Sequence, residues 1–170
     1  MRAHFLSAIL VCGIAACGPA EPPDTETSAS VSEAATNRYD IDPATGQVTA
    51  EHTNEAGITT RLEAGERLPV ALPEPFVLFP GAAVTHNTRV EQADARLVYL
   101  DFETKAPIAG VARFYRHAAR AAGIAPHVDI TGDGRQTIAG ENAALRLTFS
   151  LALRKEGELT RGQLVVGKGF

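Results

Sequence analysis

The sequence predicts an α+β fold, an antiparallel sheet of several hairpins with one main helix packed on one face. Three observations carry this reading. Leu145, Leu147, Phe149, Leu151 and Leu153 alternate with Arg146, Thr148, Ser150, Ala152 and Arg154, the period-two signature of a half-buried strand. Ile108, Val111, Tyr115, Ala118 and Ala122 step by three and four, which makes one apolar stripe on a helix over about 107–122. The remaining apolar runs are short and separated by Gly, Asn and Asp turns. Runs of strands with a single helix define an α+β domain, here 38–170.

The domain opens at Tyr39. Asp42-Pro43-Ala44-Thr45-Gly46 is a turn, with Pro preset and Gly at its close. Residues 48–53 and 58–62 flank Asn54-Glu55-Ala56-Gly57 as a hairpin. Pro69, Pro73, Pro75 and Pro80 then mark an extended connector that stays out of any central strand. Residues 83–91 and 96–103 form a second hairpin, with Val98, Leu100 and Phe102 on one face. Pro107 suits the first turn of the helix, and Gly123 stops it with Ile124 folding back. Residues 128–131 and 136–139 bracket Gly132-Asp133-Gly134. The alternating strand then turns through Lys155-Glu156-Gly157-Glu158 into a last strand over 159–166.

Upstream of the domain the composition changes. Arg2 precedes a twelve-residue apolar run from Phe5 to Ala16. As a helix it would rise about 18 Å, short of a hydrocarbon core of roughly 30 Å, so residues 1–16 read as a signal peptide. Residues 18–37 contain three prolines, four acids, no base and no aromatic residue. Such a segment buries too little apolar surface to offset chain entropy and reads as a disordered linker. The other sixteen of the twenty acids and fifteen of the sixteen bases lie in the domain. This near balance gives no basic footprint for nucleic acid. No cysteine follows Cys17, which rules out a disulfide, a cysteine nucleophile or a Cys-based zinc site in the domain.

Ile14-Ala15-Ala16-Cys17-Gly18 resembles the lipobox of bacterial lipoproteins: an aliphatic residue, two small residues, then the cysteine. Cys12 follows the bulky Val11 and fits less well. The resemblance implies acylation at Cys17, removal of residues 1–16 by the type II signal peptidase, and membrane attachment through the lipid. Gly18 rather than Asp after the cysteine implies the outer membrane, with the domain facing the periplasm. A secretory signal cut near Ala16 is the alternative. Phe76-x-x-Phe79-Pro80-Gly81-Ala82, Phe114-Tyr115-Arg116 and Ala121-Ala122-Gly123 together resemble a pattern in uncharacterised bacterial envelope lipoproteins. That resemblance implies a location and no activity.

The domain holds few residues in patterns that carry chemistry. Asp129, Asp133 and Gly134 touch the EF-hand pattern, but Thr131 is a poor third ligand and the twelfth position is Gly140; a hairpin turn accounts for the same residues. His52, His86, His117 and His127 sit on four different elements without metal-ligand spacing. Asp101 and Glu103 share a strand face, as a carboxylate pair or as plain solvated residues. There is no G-x-S-x-G elbow and no phosphate-cradling glycine loop, so neither a catalytic residue nor a cofactor is assigned. Arg113, Arg116 and Arg120 line one helix flank. They are either a binding stripe for an acidic protein face, a glycan or anionic headgroups, or a solvated face with local partners. The expected function is therefore a lipid-anchored interaction or assembly module with an envelope protein or glycan partner. The alternatives are a carrier of a small hydrophobic ligand in a helix–sheet groove lined by Phe102, Tyr115 and Phe149, or a hydrolase.

Overall fold

The computed structural model describes residues 36–170. The lipobox, Cys17 and nearly all of the linker lie outside them. Among the described residues nine strands form one antiparallel sheet: β1 (Thr36–Ile41), β2 (Val48–Thr53), β3 (Thr59–Ala64), β4 (Ala83–Gln92), β5 (Ala95–Thr104), β6 (Ala125–Gly132), β7 (Arg135–Asn142), β8 (Leu147–Glu156) and β9 (Leu159–Lys168). A helix, α1 (Ile108–Ala121), joins β5 to β6. The spatial order is β1-β2-β3-β4-β5-β9-β8-β7-β6. The helix thus carries the chain from the middle of the sheet to its far edge. Three hairpins then return it until β9 closes against β5. The fold is α+β but dominated by sheet.

The turns follow from their residues. Asp133 and Gly134, both at positive φ (+47° and +68°), form the two-residue loop between β6 and β7, the requirement of a type I′ hairpin that Asp-Gly meets. Asp42 Oδ1 accepts from the Ala44 N–H at 2.8 Å and holds the first turn. Pro107 precedes the helix with φ −68°. At the other end Gly123, at φ +68°, lets the Ile124 N–H return to the Ala119 carbonyl at 2.9 Å.

The core lies between α1 and the β5-β9-β8-β7 part of the sheet. Val111, Ala112, Tyr115 and Ala119 from the helix meet Leu100, Phe102, Ile138, Phe149, Leu151 and Leu164. The proline-spaced connector packs beside the helix. Phe76 stacks on Phe149 at 5.1 Å, and the Phe79 N–H donates to the Tyr115 hydroxyl at 3.1 Å. Burial pushes the Tyr115 phenol up to about 12, because desolvation disfavours the phenolate. Asn87 on β4 anchors the start of the connector, its amide donating to the Leu68 carbonyl at 3.0 Å.

Four boundaries differ from the sequence reading. No strand is expected before residue 48, yet 36–41 pairs with β2 along its whole length. The alternating run 145–154 begins as a strand only at Leu147. Asn142 caps a single 3-10 turn over Ala143–Leu145, and Arg146 adopts a left-handed φ of +47°, so Leu145 leaves the strand and is 58% exposed. The loop after β8 shrinks to Gly157 and Glu158, since Gly157 at φ +60° permits a two-residue reversal. The strands around Asp133 run longer than expected, to Ala125 and Asn142.

Candidate functional site

Directly opposed residues of antiparallel strands share a face, so the pairings sort every strand residue onto the helix side or the helix-free side. Leu100 and Phe102 are buried under the helix and connector, and Val98, also buried, shares their face. Leu97 and Tyr99 therefore point the other way. From Leu97 one row runs through Val90, Leu62 and Ala50 to Tyr39. From Tyr99 a second row runs through Thr88, Ala64 and Val48 to Ile41. The two rows make an apolar surface across β1–β5. Tyr39 is 66% and Ile41 50% exposed, and the others are half-buried. The helix packs against β6, β7 and β8 on the opposite side, and among the described residues no element lies on this surface.

The helix side of the same strands is charged. Arg38, Glu51, Arg61, Glu91 and Arg96 are opposed in turn across β1–β5, alternating in sign. Beside them Glu63 pairs with Arg89 and, at 2.9 Å, with Arg61. Burial works against the Glu63 carboxylate, but the hydrogen bonds from Arg89 and Arg61 outweigh it and hold its pKa below the usual value. In β1–β4 the apolar and polar faces are thus reversed relative to β7–β9, and β5 is apolar on the helix side and, at Leu97 and Tyr99, also on the other.

Beyond β5 the helix-free face becomes polar. Glu103, Arg161, Arg154 and Arg135 are opposed across β5-β9-β8-β7, and the three arginines border a concavity of about 480 Å³ with Asp101, Thr137 and Gln163. Arg161 pairs with Glu156 at 2.9 Å, and Arg154 with the same carboxylate at 3.5 Å. Surface pairs of this kind contribute little to stability.

The structure separates the arginines of the helix flank. Arg116 forms a fork with Asp129 on β6, Nε to Oδ2 at 2.8 Å and the second nitrogen to Oδ1 at 2.9 Å. Gln136 also donates to Asp129, at 3.2 Å. These bonds, the Arg116 one foremost, lower the Asp129 pKa. Asp129 is thereby tied to the helix, and Asp133 lies in the hairpin loop. Arg113 and Arg120 are exposed and make no ion pair among the described residues. His52 hydrogen-bonds Asn37 and His86 hydrogen-bonds Thr88. Among the described residues no three His, Cys, Asp or Glu converge as metal ligands. Asp101 and Glu103 lie on the helix-free face, Gln163 donating to Asp101 at 3.5 Å and Arg161 lying 3.9 Å from Glu103. Phe102, Tyr115 and Phe149 are each at most 2% exposed; they fill the space between helix and sheet. Comparison with protein-family models, with curated proteins and with solved structures finds no match.

The sequence reading missed the apolar face of β1–β4. The signal was present but faint: Val48 and Ala50 alternate with Thr49 and Glu51, and Leu62 and Ala64 with Arg61 and Glu63.

Proposed function

We propose that this chain is a bacterial envelope lipoprotein, acylated at Cys17, whose α+β domain docks an envelope protein through the helix-free face of β1–β5. The lipobox supports the anchor, and Gly18 supports the outer membrane facing the periplasm. The observation that carries the docking function is the apolar surface built around Leu62, Val90 and Leu97. A sheet face of this kind, left without a covering layer, is the usual mark of an interaction site. Its apolar character fits a protein partner better than a glycan or a headgroup, which need hydrogen bonds and charge. The ion-paired opposite side of the same strands keeps that side in water.

The test is capture in intact cells of a partner by affinity-tagged full-length protein. The native chain is expected to retain one envelope protein reproducibly. Leu62→Glu is expected to lose it while the chain stays in the membrane fraction, and Cys17→Ser to lose both membrane fractionation and partner. Capture that survives Leu62→Glu contradicts the docking face, and membrane fractionation that survives Cys17→Ser contradicts the anchor.

A further inference from the structure

Among the described residues the sheet has two open edges, β1 and β6, and they are built differently. At one end, β6 carries Pro126 and a register break between Pro126 and Val128, and Asp129 stands beside it. Proline and bulges are the devices that keep an edge from pairing with another strand. At the other end, β1 is unbroken over Thr36–Ile41 and contains no proline.

The ladder fixes which backbone groups of β1 are free. The Asp42 N–H donates to the Gln47 carbonyl. Hydrogen-bonded pairs alternate along an antiparallel ladder, so Asp40 and Arg38 bond to β2. The N–H and C=O groups of Asn37, Tyr39 and Ile41 therefore point outward. A strand docked antiparallel on this edge must use those three residues.

A second copy of β1 satisfies this requirement. Rotated about a two-fold axis at Tyr39, it places Tyr39 opposite Tyr39 and Asn37 opposite Ile41, all outward-bonding positions. Between them Arg38 falls opposite Asp40 of the second copy, twice. The alternating row Arg38–Glu51–Arg61–Glu91–Arg96 ends at Arg38, whose side chain is 73% exposed and only loosely paired to Glu51 at 3.9 Å. Asp40 of the second copy continues the alternation. On the opposite face, Tyr39 and Ile41, the most exposed apolar residues of the apolar rows, become covered.

We infer that β1 is a self-pairing edge, through which two copies of this chain join antiparallel into one continuous sheet centred on Tyr39. Opposed charges stabilise such pairs and like charges oppose them. A single strand pair buries less than the roughly 800 Å² per partner of a standard interface, so the association is weak and concentration-dependent.

The experiment is sedimentation of the full chain in detergent, from micromolar to millimolar concentration. The native chain is expected to pass from one copy to two. Asp40→Arg faces Arg38 with arginine, and Arg38→Asp faces Asp40 with aspartate. Each alone should weaken the dimer by about tenfold or more. Mixed in equal amounts, the two variants restore both charge pairs and should dimerise again, which also shows that each folds. Tyr39→Pro removes one outward N–H without touching a β1–β2 bond and should also give one copy. A native chain that stays single at millimolar concentration overturns the inference. So does a dimer indifferent to Asp40→Arg, or a mixture no more dimeric than its components. The result does not depend on acylation of Cys17 or on the docking face.

Discussion

The two halves of the sheet solve the same problem differently. β7–β9 turn their apolar side chains toward α1, and Leu151, Leu164 and Ile138 are wholly buried there. β1–β4 turn theirs the opposite way, toward a face on which no described element lies, and give the helix side to ion pairs. One strand, β5, is apolar on the helix side and, at Leu97 and Tyr99, also on the other, and joins the two patterns. This difference is what the proposed docking face rests on, since a sheet needs a second layer on its apolar face.

Substitutions should therefore behave differently in the two halves. In the covered half, Phe76→Ala removes a ring stacked on Phe149 and is expected to cost about 3–5 kcal/mol. Gly162→Ala comes next. Its Cβ would fall 2.6 Å from Phe102 Cε1, an overpacking expected to cost about 1–3 kcal/mol. In the uncovered half, Leu62→Glu and Val90→Glu are expected to change the stability of the isolated chain by about 0.5 kcal/mol or less, as surface changes do. Denaturant titration of the four variants sets the comparison. A loss at Leu62 as large as that at Phe76 would mean that the face is already covered within the chain.

The smallest effect concerns the link between helix and far edge. The Asp129 pKa is lowered in the folded state, so the Arg116 pair adds stability above the unfolded carboxylate value. That stability is lost as pH falls through the lower folded value. Arg116→Gln is accordingly expected to narrow the difference in stability between neutral pH and the acid range below about pH 4. The change is expected to be about 1 kcal/mol or less, because the pair is largely exposed and screened. Stability curves of both proteins against pH check this. An unchanged acid dependence would show that the fork does not couple to folding.

Much of this architecture is legible in the sequence, for local reasons. The helix follows from Val111, Tyr115 and Ala118 at helical spacing between Pro107 and Gly123. The hairpins follow from Asn54–Gly57, Asp133–Gly134 and Gly157. What escapes is decided at a distance. Alternation reveals that a strand has two faces, but not that the apolar face of β2 and β3 lies opposite to that of β8. β1 alternates only over Arg38–Ile41, too short a run to stand out, and is held by pairing with the edge that β2 offers. The Arg113–Arg116–Arg120 stripe is visible as spacing, but the removal of Arg116 from it depends on β6 bringing Asp129 beneath the helix. Cys17 is legible only through its motif.

If β1–β5 dock a partner through one face only, neighbouring residues of the same strands distinguish the two faces. Photoreactive residues placed singly at Leu62 and Val90 point to the helix-free side, and those at Arg61 and Arg89 to the helix side. In intact cells, crosslinks to one envelope protein are expected from Leu62 and Val90 and none from Arg61 and Arg89. Equal capture from both sides, or capture from Arg61 and Arg89 alone, would contradict the account.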